Sequence, residues 1–247
     1  MNYYLAAAYR KNGQPAEAKK VYDAILGLKP EEKDAYFLRG SAELELGDYE
    51  SAKADFDKAI SMDPKNYDRL IEIYEALADY GYREVGQEYL QNVLNTDKKL
   101  DAYDSGRIYY YLGDYQKAYL ALEEAKGKGG VDSYLYLGKA YAATGDYNYA
   151  SSVYSNYLSK QGPDAEIYNQ LGLCELAKKD YQKALEAFQA GKQIEGNSLM
   201  QTLSFNEIVA YEYLQDYQKA AVLLNAYLQN YPDDQAAIRE QQFLSTR

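Results

Sequence analysis

The sequence predicts an all-α protein of the α-solenoid class: about seven helix–turn–helix units in series, with one more helix capping the C-terminal end. Three observations predict it. The first is a turn motif that returns along the whole chain. Gly47-Asp48-Tyr49, Gly113-Asp114-Tyr115, Gly145-Asp146-Tyr147, Lys179-Asp180-Tyr181 and Gln215-Asp216-Tyr217 are each followed, three residues after the tyrosine, by Ala52, Ala118, Ala150, Ala184 and Ala220. Weaker copies sit at Gly13, with Ala18, and at Gly81, with Gly86. The second is the period. The turns begin at residues 13, 47, 81, 113, 145, 179 and 215, spaced by 34, 34, 32, 32, 34 and 36. Such regularity marks an array of small stacked units rather than one globular core. The third is helical spacing between the turns, as at Ala52, Phe56, Ala59 and Ile60, which form one buried stripe.

The expected units are residues 1–32, 33–66, 67–98, 99–130, 131–164, 165–200 and 201–232, in one continuous solenoid, with the capping helix over about 234–245. The first unit lacks the start of its first helix, and Pro15 stands where five others have tyrosine. Met1 to Leu5 enter the pattern already inside a helix. Either a leader or anchor has been removed upstream, or the chain starts at Met1. The second unit is the clearest. Tyr36, Leu38, Gly40 and Leu44 lie on a first helix that Gly47 can stop in the left-handed conformation. Asp48 then caps the second helix, and Asp63-Pro64 ends it.

The third unit is the least regular: Tyr74 replaces the Gly40 column and Gly86 the Ala52 column. The pair reads as compensation, a large ring on one helix facing no side chain on the other. Ala125 to Gly130 joins the fourth and fifth units. Its Gly-Lys pair does not complete a phosphate loop, because Leu122 stands where the first glycine belongs and Gly129 where a serine or threonine is needed. After Pro232, Asp233-Asp234 can cap the last helix. Ile238, Phe243 and Leu244 would cover the end of the stack, while Arg239, Glu240 and Gln241 meet water.

Two helices in about 34 residues, small residues where they cross and a proline stop resemble the tetratricopeptide repeat. Tyr36, Tyr134 and Tyr168 match that family's first aromatic, Leu137-Gly138 and Leu171-Gly172 its Leu-Gly pair, and Gly40 and Gly106 the glycine alone. Tyr9, Tyr109, Tyr141 and Tyr211 match the aromatic late in the first helix. Tyr22, Phe56, Tyr154 and Phe188 match the aromatic of the second, and Pro30, Pro64 and Pro232 the closing proline. The resemblance covers nearly all of residues 1–232. It implies a right-handed superhelix whose concave side, lined by the first helices, binds extended peptides. It also implies a non-catalytic protein-interaction scaffold.

Composition narrows the function further. The net charge is −11 and the lysines and arginines are scattered, which disfavours nucleic acid and anionic membranes. No apolar run reaches the roughly 18 residues that span a bilayer. There is no histidine, so the commonest general base and histidine-based zinc sites are missing. No calcium loop is present, and no cofactor or metal is expected. Carboxylates are plentiful, and are read as solvated helix faces. Cys174, the single cysteine, reads as a small buried residue.

What remains is a surface. The column through Phe37 continues as Tyr3, Ile71, Tyr103, Leu135, Asn169 and Phe205. Four residues further on come Ala7, Ser41, Glu75, Arg107, Lys139, Leu173 and Val209. Tyr103, Arg107, Tyr110 and Tyr111 share one helical face, and arginine among tyrosines is the composition of a binding hot spot. The candidate groove residues are Phe37, Glu75, Tyr103, Arg107, Tyr110, Tyr111, Lys139 and Asn169. Asp34, Glu45, Asp68, Glu75 and Asp79 make the second and third units acidic, whereas Arg107 and Lys139 make the centre basic. The expected partner is a protein or peptide with a basic stretch and an aromatic or acidic residue near Arg107. The lysine–asparagine clamp with which the family's chaperone-tail binders grip a terminal carboxylate is absent, since Phe37, Ser41 and Glu75 occupy those columns. Two alternatives stand beside this reading: a small or sugar-like ligand in a tyrosine-rich groove, and the repeat region of a longer protein. The chain is expected to be a monomer or to self-associate weakly. It would be cytoplasmic, or extracytoplasmic and anchored if a leader has been removed.

Overall fold

The computed structural model describes residues 3–125 and 127–246. Met1, Asn2, Lys126 and Arg247 lie outside the described residues, and with them part of the start and linker readings. Among the described residues there are fifteen α-helices and no strand. They are α1 (Tyr3–Lys11), α2 (Pro15–Leu28), α3 (Lys33–Glu45), α4 (Tyr49–Met62), α5 (Tyr67–Asp79), α6 (Arg83–Thr96), α7 (Ala102–Tyr111) and α8 (Tyr115–Ala125). Then follow α9 (Val131–Ala143), α10 (Tyr147–Gln161), α11 (Ala165–Ala177), α12 (Tyr181–Lys192), α13 (Met200–Tyr213), α14 (Tyr217–Asn230) and α15 (Gln235–Leu244). The helices pair into seven hairpins and a final cap, an α-solenoid. The chain forms two compact bodies, Met1–Leu100 and Asp101–Arg247, and each is described by itself.

The turn column is visible in the backbone. All seven first members have positive φ: Gly13, Gly47, Gly81, Gly113 and Gly145, and also Lys179 (63°) and Gln215 (62°). Left-handed backbone comes readily to glycine, whereas other residues pay about 1–2 kcal/mol for it. The aspartate that follows most turns is a working cap. Asp48, Asp146, Asp180 and Asp216 accept hydrogen bonds from the amides of Ser51, Tyr149, Lys183 and Lys219, each worth about 1 kcal/mol.

Within a hairpin the two helices touch where the first carries glycine. A Cβ on Gly40 would sit 2.8 Å from Phe56 Cε1, one on Gly138 2.2 Å from Tyr154 Cζ, and one on Gly172 2.3 Å from Phe188 Cε1. The third hairpin inverts this arrangement. Tyr74 is buried, and a Cβ on Gly86 would fall 2.9 Å from its Cδ2. Ring and glycine have exchanged helices, as the sequence predicted.

In the N-terminal body each helix packs on the next, α1 through α6. In the C-terminal body α7 through α15 do the same, and α9 also touches α7 and α11. The cap is held by Asp234, whose Oδ1 accepts from the amides of Ala236 and Ala237, and whose Oδ2 accepts from the Tyr227 hydroxyl. Ala237 and Leu244 are buried, but Phe243 remains 40% exposed. Ala237 thus does the covering that the sequence assigned to Phe243.

A second correction concerns the carboxylates, which were read as solvated. Glu43, Asp55, Glu175 and Glu207 are buried between helices. Asp55 receives Arg39 through Nε (2.6 Å) and Nη2 (2.7 Å). Glu207 receives Lys192 (2.6 Å) and Gln189 (2.8 Å). A period-based reading assigns charge to solvent unless an opposite charge is traced on the neighbouring helix, and these partners lie 15 to 18 residues away. Cys174 is buried as expected, and burial pushes its thiol pKa up to about 12.

Candidate functional site

The C-terminal body carries the greater part of the predicted surface, on α7, α9 and α11. Glycine at 106 lets α7 press on Leu122 of α8, which leaves the opposite face of α7 to Tyr103, Arg107, Tyr110 and Tyr111. Next to it, α9 presents Tyr136 and Lys139. Arg107 is not an open hot spot. It is 8% exposed, with its guanidinium carbon 5.0 Å from the Tyr103 ring centroid and 5.5 Å from that of Tyr136. Its Nη1 lies 3.7 Å from the Asp104 carboxylate. The arginine therefore sits between two π faces, an attractive electrostatic arrangement that strengthens as water is excluded.

Tyr136 is the hub. Tyr110 meets it edge-on at 5.5 Å, and the Tyr111 and Tyr136 hydroxyls are 2.9 Å apart. Lys139 Nζ lies 6.0 Å from the Tyr136 ring centroid and 3.6 Å from the Glu166 carboxylate of α11. Tyr110 also contacts Tyr111 and Tyr115. Burial raises its hydroxyl pKa, and the Tyr115 and Tyr136 hydroxyls raise it further, so it stays a neutral donor near pH 7. Tyr103 packs over the linker: a Cβ on Gly129 would be 2.3 Å from its Cε2. Glycine is needed there for close approach rather than for a phosphate.

Asn169 is brought to the same helix layer but turns inward. It is 5% exposed, and its Oδ1 accepts from Asn206 Nδ2 at 2.8 Å, tying α11 to α13. Phe37 and Glu75 belong to the N-terminal body. The Arg69 guanidinium covers the Phe37 ring at 4.0 Å, and Glu75 is exposed on α5. Two of the expected acidic groups are neutralised: Asp34 accepts from Arg69 Nη2 at 2.9 Å and Glu45 from Arg10 Nε at 2.7 Å. The sequence reading missed Tyr136, because it lies one residue past the column through Leu135. Its i, i+3 spacing to Lys139 on α9 was the available signal. Among the described residues no cluster of histidine, cysteine, aspartate or glutamate could hold a metal ion. No helix there is long and apolar enough to cross a membrane.

Paired helices, glycine–aromatic crossings and a side-chain row along successive first helices define a helical-repeat binding scaffold. Tetratricopeptide-repeat profiles match residues 3–67 and 135–198, more than half of the chain, and a further profile of the same repeat matches 205–234. The chain belongs to the tetratricopeptide repeat family. That family is in general non-enzymatic and binds protein partners. The mouse "FK506-binding protein-like" protein is 42% identical over 62 residues, 25% of this chain and 18% of that protein. The chain thus spans under a fifth of the curated relative. A tetratricopeptide repeat protein from Parabacteroides merdae superposes with a TM-score of 0.57 at 16% identity, over 84% of this chain and 82% of that one. YrrB, described as "a TPR protein with an unusual peptide-binding site", superposes with a TM-score of 0.50 at 18% identity, over 90% of this chain and 97% of that one. At these identities the likenesses show the fold.

Proposed function

We propose that this chain is a non-catalytic scaffold that binds an extended segment of a partner protein along the α7–α9 row. The observation that carries this is the continuous set Tyr103, Arg107, Tyr110, Tyr111, Tyr136 and Lys139. Five of the six are half-buried rather than packed away. Tyrosine offers a large contact area and a hydroxyl at low entropic cost. Arg107 and Lys139 set the local sign, which suits an acidic residue of the partner beside an aromatic one. On the N-terminal body the exposed carboxylates Asp68, Glu75 and Asp79 suit a basic stretch. The likeness to YrrB, described as having an unusual peptide-binding site, is in keeping with a peptide ligand.

The test is selection from a displayed library of extended peptides, run on wild type and on Tyr110→Ala/Tyr111→Ala. The expected result is enrichment of peptides pairing an aromatic with an acid, lost in the double variant. Equal enrichment by both proteins would remove the row from the site.

A further inference from the structure

The repeats place α10–α12 in register with α2–α4 without insertion or deletion: Tyr154 matches Tyr22, Gly172 matches Gly40 and Phe188 matches Phe56. In the N-terminal body this register is occupied by an internal arginine. Arg39 is bidentate to Asp55, donates through Nη1 to Asp23 at 2.8 Å, and holds its guanidinium carbon 5.6 Å from the Tyr36 ring centroid. Glu43 is buried close by, with Lys19 Nζ 3.5 Å from its Oε1.

In the C-terminal body the arginine and both of its aspartates are gone. Leu171 stands for Arg39, Ser155 for Asp23 and Ala187 for Asp55, whereas Tyr168 and Glu175 keep Tyr36 and Glu43. A cavity of about 320 Å3 opens at this position. It is lined by these five residues together with Lys183, Glu186 and Ala190, between α10 and α12 with α11 as its floor. Glu175 is 5% exposed. Its Oε1 accepts from Lys178 at 2.9 Å, and its Oε2 is buried with no hydrogen-bond donor, as is Oε2 of Glu43 beside Arg39. A buried carboxylate oxygen left without a donor is costly, and a cationic donor is its strongest partner.

We propose that this cavity is a binding site for a basic side chain, arginine foremost, presented by a partner protein. Arg39 is the chain's own template for the ligand. Tyr168 offers the ring that Tyr36 offers Arg39, Glu175 supplies the buried carboxylate that Glu43 supplies near Arg39, and Glu186 adds negative charge at the exposed rim. The cations here are already engaged, Lys178 by Glu175 Oε1 and Lys183, on the cavity wall, by Asp180 at 2.7 Å. A chain of net charge −11 also favours a basic partner. Tyr168, Leu171 and Glu175, at i, i+3 and i+7, form a face of α11 other than that of Asn169 and Leu173, so the site is separate from the α7–α9 row.

The test uses the full chain and two acetylated, amidated pentapeptides, glycine throughout except for a central arginine or norleucine, followed by amide NMR. The arginine peptide is expected to shift the amides of α10–α12, and the norleucine peptide to leave them unmoved. Glu175→Gln should weaken arginine binding about tenfold or more. The triple variant Leu171→Arg/Ser155→Asp/Ala187→Asp rebuilds the Arg39 cluster, fills the cavity from within, and should abolish binding. Should Glu175→Gln unfold, the triple variant carries the test, since its packing already exists elsewhere in this chain. Tyr110→Ala/Tyr111→Ala should leave arginine binding unchanged, which separates this site from the proposed peptide row. Equal binding of the two peptides, or undiminished arginine binding by the triple variant, would overturn the proposal.

Discussion

The two bodies use the same hairpin but different chemistry to join one hairpin to the next. In the N-terminal body the joints are largely ionic: Arg10 to Glu45, Arg39 to Asp23 and Arg69 to Asp34, beside one ring stack, Tyr49 on Tyr82 at 4.1 Å. In the C-terminal body they are largely aromatic: Tyr110, Tyr111 and Tyr136 around Arg107, Tyr119 stacked on Tyr141 at 4.6 Å, and Tyr181 on Tyr213 at 4.9 Å. The repeat columns fix backbone packing, while the residues between columns choose the interface chemistry. A side chain spent on an internal ion pair is no longer offered to a partner, whereas a half-buried ring still presents a face. That difference is why the proposed binding row is placed on the C-terminal body.

The largest expected effect tests the ionic side of this comparison. Arg39→Met strands the buried Asp55 and should cost about 3–5 kcal/mol in urea unfolding. Leu171→Met, at the matching position, should cost less than about 1.5 kcal/mol. Equal costs would erase the distinction. On the aromatic side, Tyr136→Ala should cost about 2–3 kcal/mol, and Tyr136→Phe, which removes only the hydroxyl contact with Tyr111, about 1 kcal/mol. The Tyr136→Phe effect should not change between low and high salt, because the contact it removes joins two neutral hydroxyls.

A smaller effect concerns pH. Burial, with the nearby Asp55 carboxylate, pushes the Glu43 pKa up from 4.5 to about 7. The folded state therefore binds this proton more tightly than the unfolded one. The resulting stability is present in full below pH 4.5 and is lost as pH rises through 7. Glu43→Gln should remove that decline, gaining on the order of 1 kcal/mol at pH 8 relative to pH 4. A wild-type difference curve without slope between pH 4.5 and 7 would contradict this. The smallest effect lies in the turns. Lys179→Gly and Gln215→Gly should each stabilise by up to about 1 kcal/mol, because both positions have positive φ, whereas Gly145→Ala should destabilise. Thermal melts of the three variants would decide.

Much of the fold was legible in the residues because it rests on local rules. Glycine marks the left-handed turn, aspartate the cap, and a glycine–aromatic pair the crossing, even where Tyr74 and Gly86 exchange roles. The site was only half legible. Tyr103, Arg107, Tyr110, Tyr111 and Lys139 were placed on one layer from their spacing. That Arg107 is enclosed by Tyr136, and that Asn169 turns toward Asn206, depends on contacts between different hairpins. Column counting does not order those contacts. The buried Glu43 and Glu175 escaped too: where four hairpins carry tyrosine in that column, these two carry a carboxylate, paired in Glu43 with Lys19 of another helix and in Glu175 with Lys178 at the end of its own.

The most direct test of the central claim is hydrogen exchange of the full chain with and without a library-selected peptide pairing an aromatic with an acid. The account predicts new protection concentrated in α7 and α9, abolished by Tyr110→Ala/Tyr111→Ala. Protection confined to other helices, or persisting in the double variant, would contradict it.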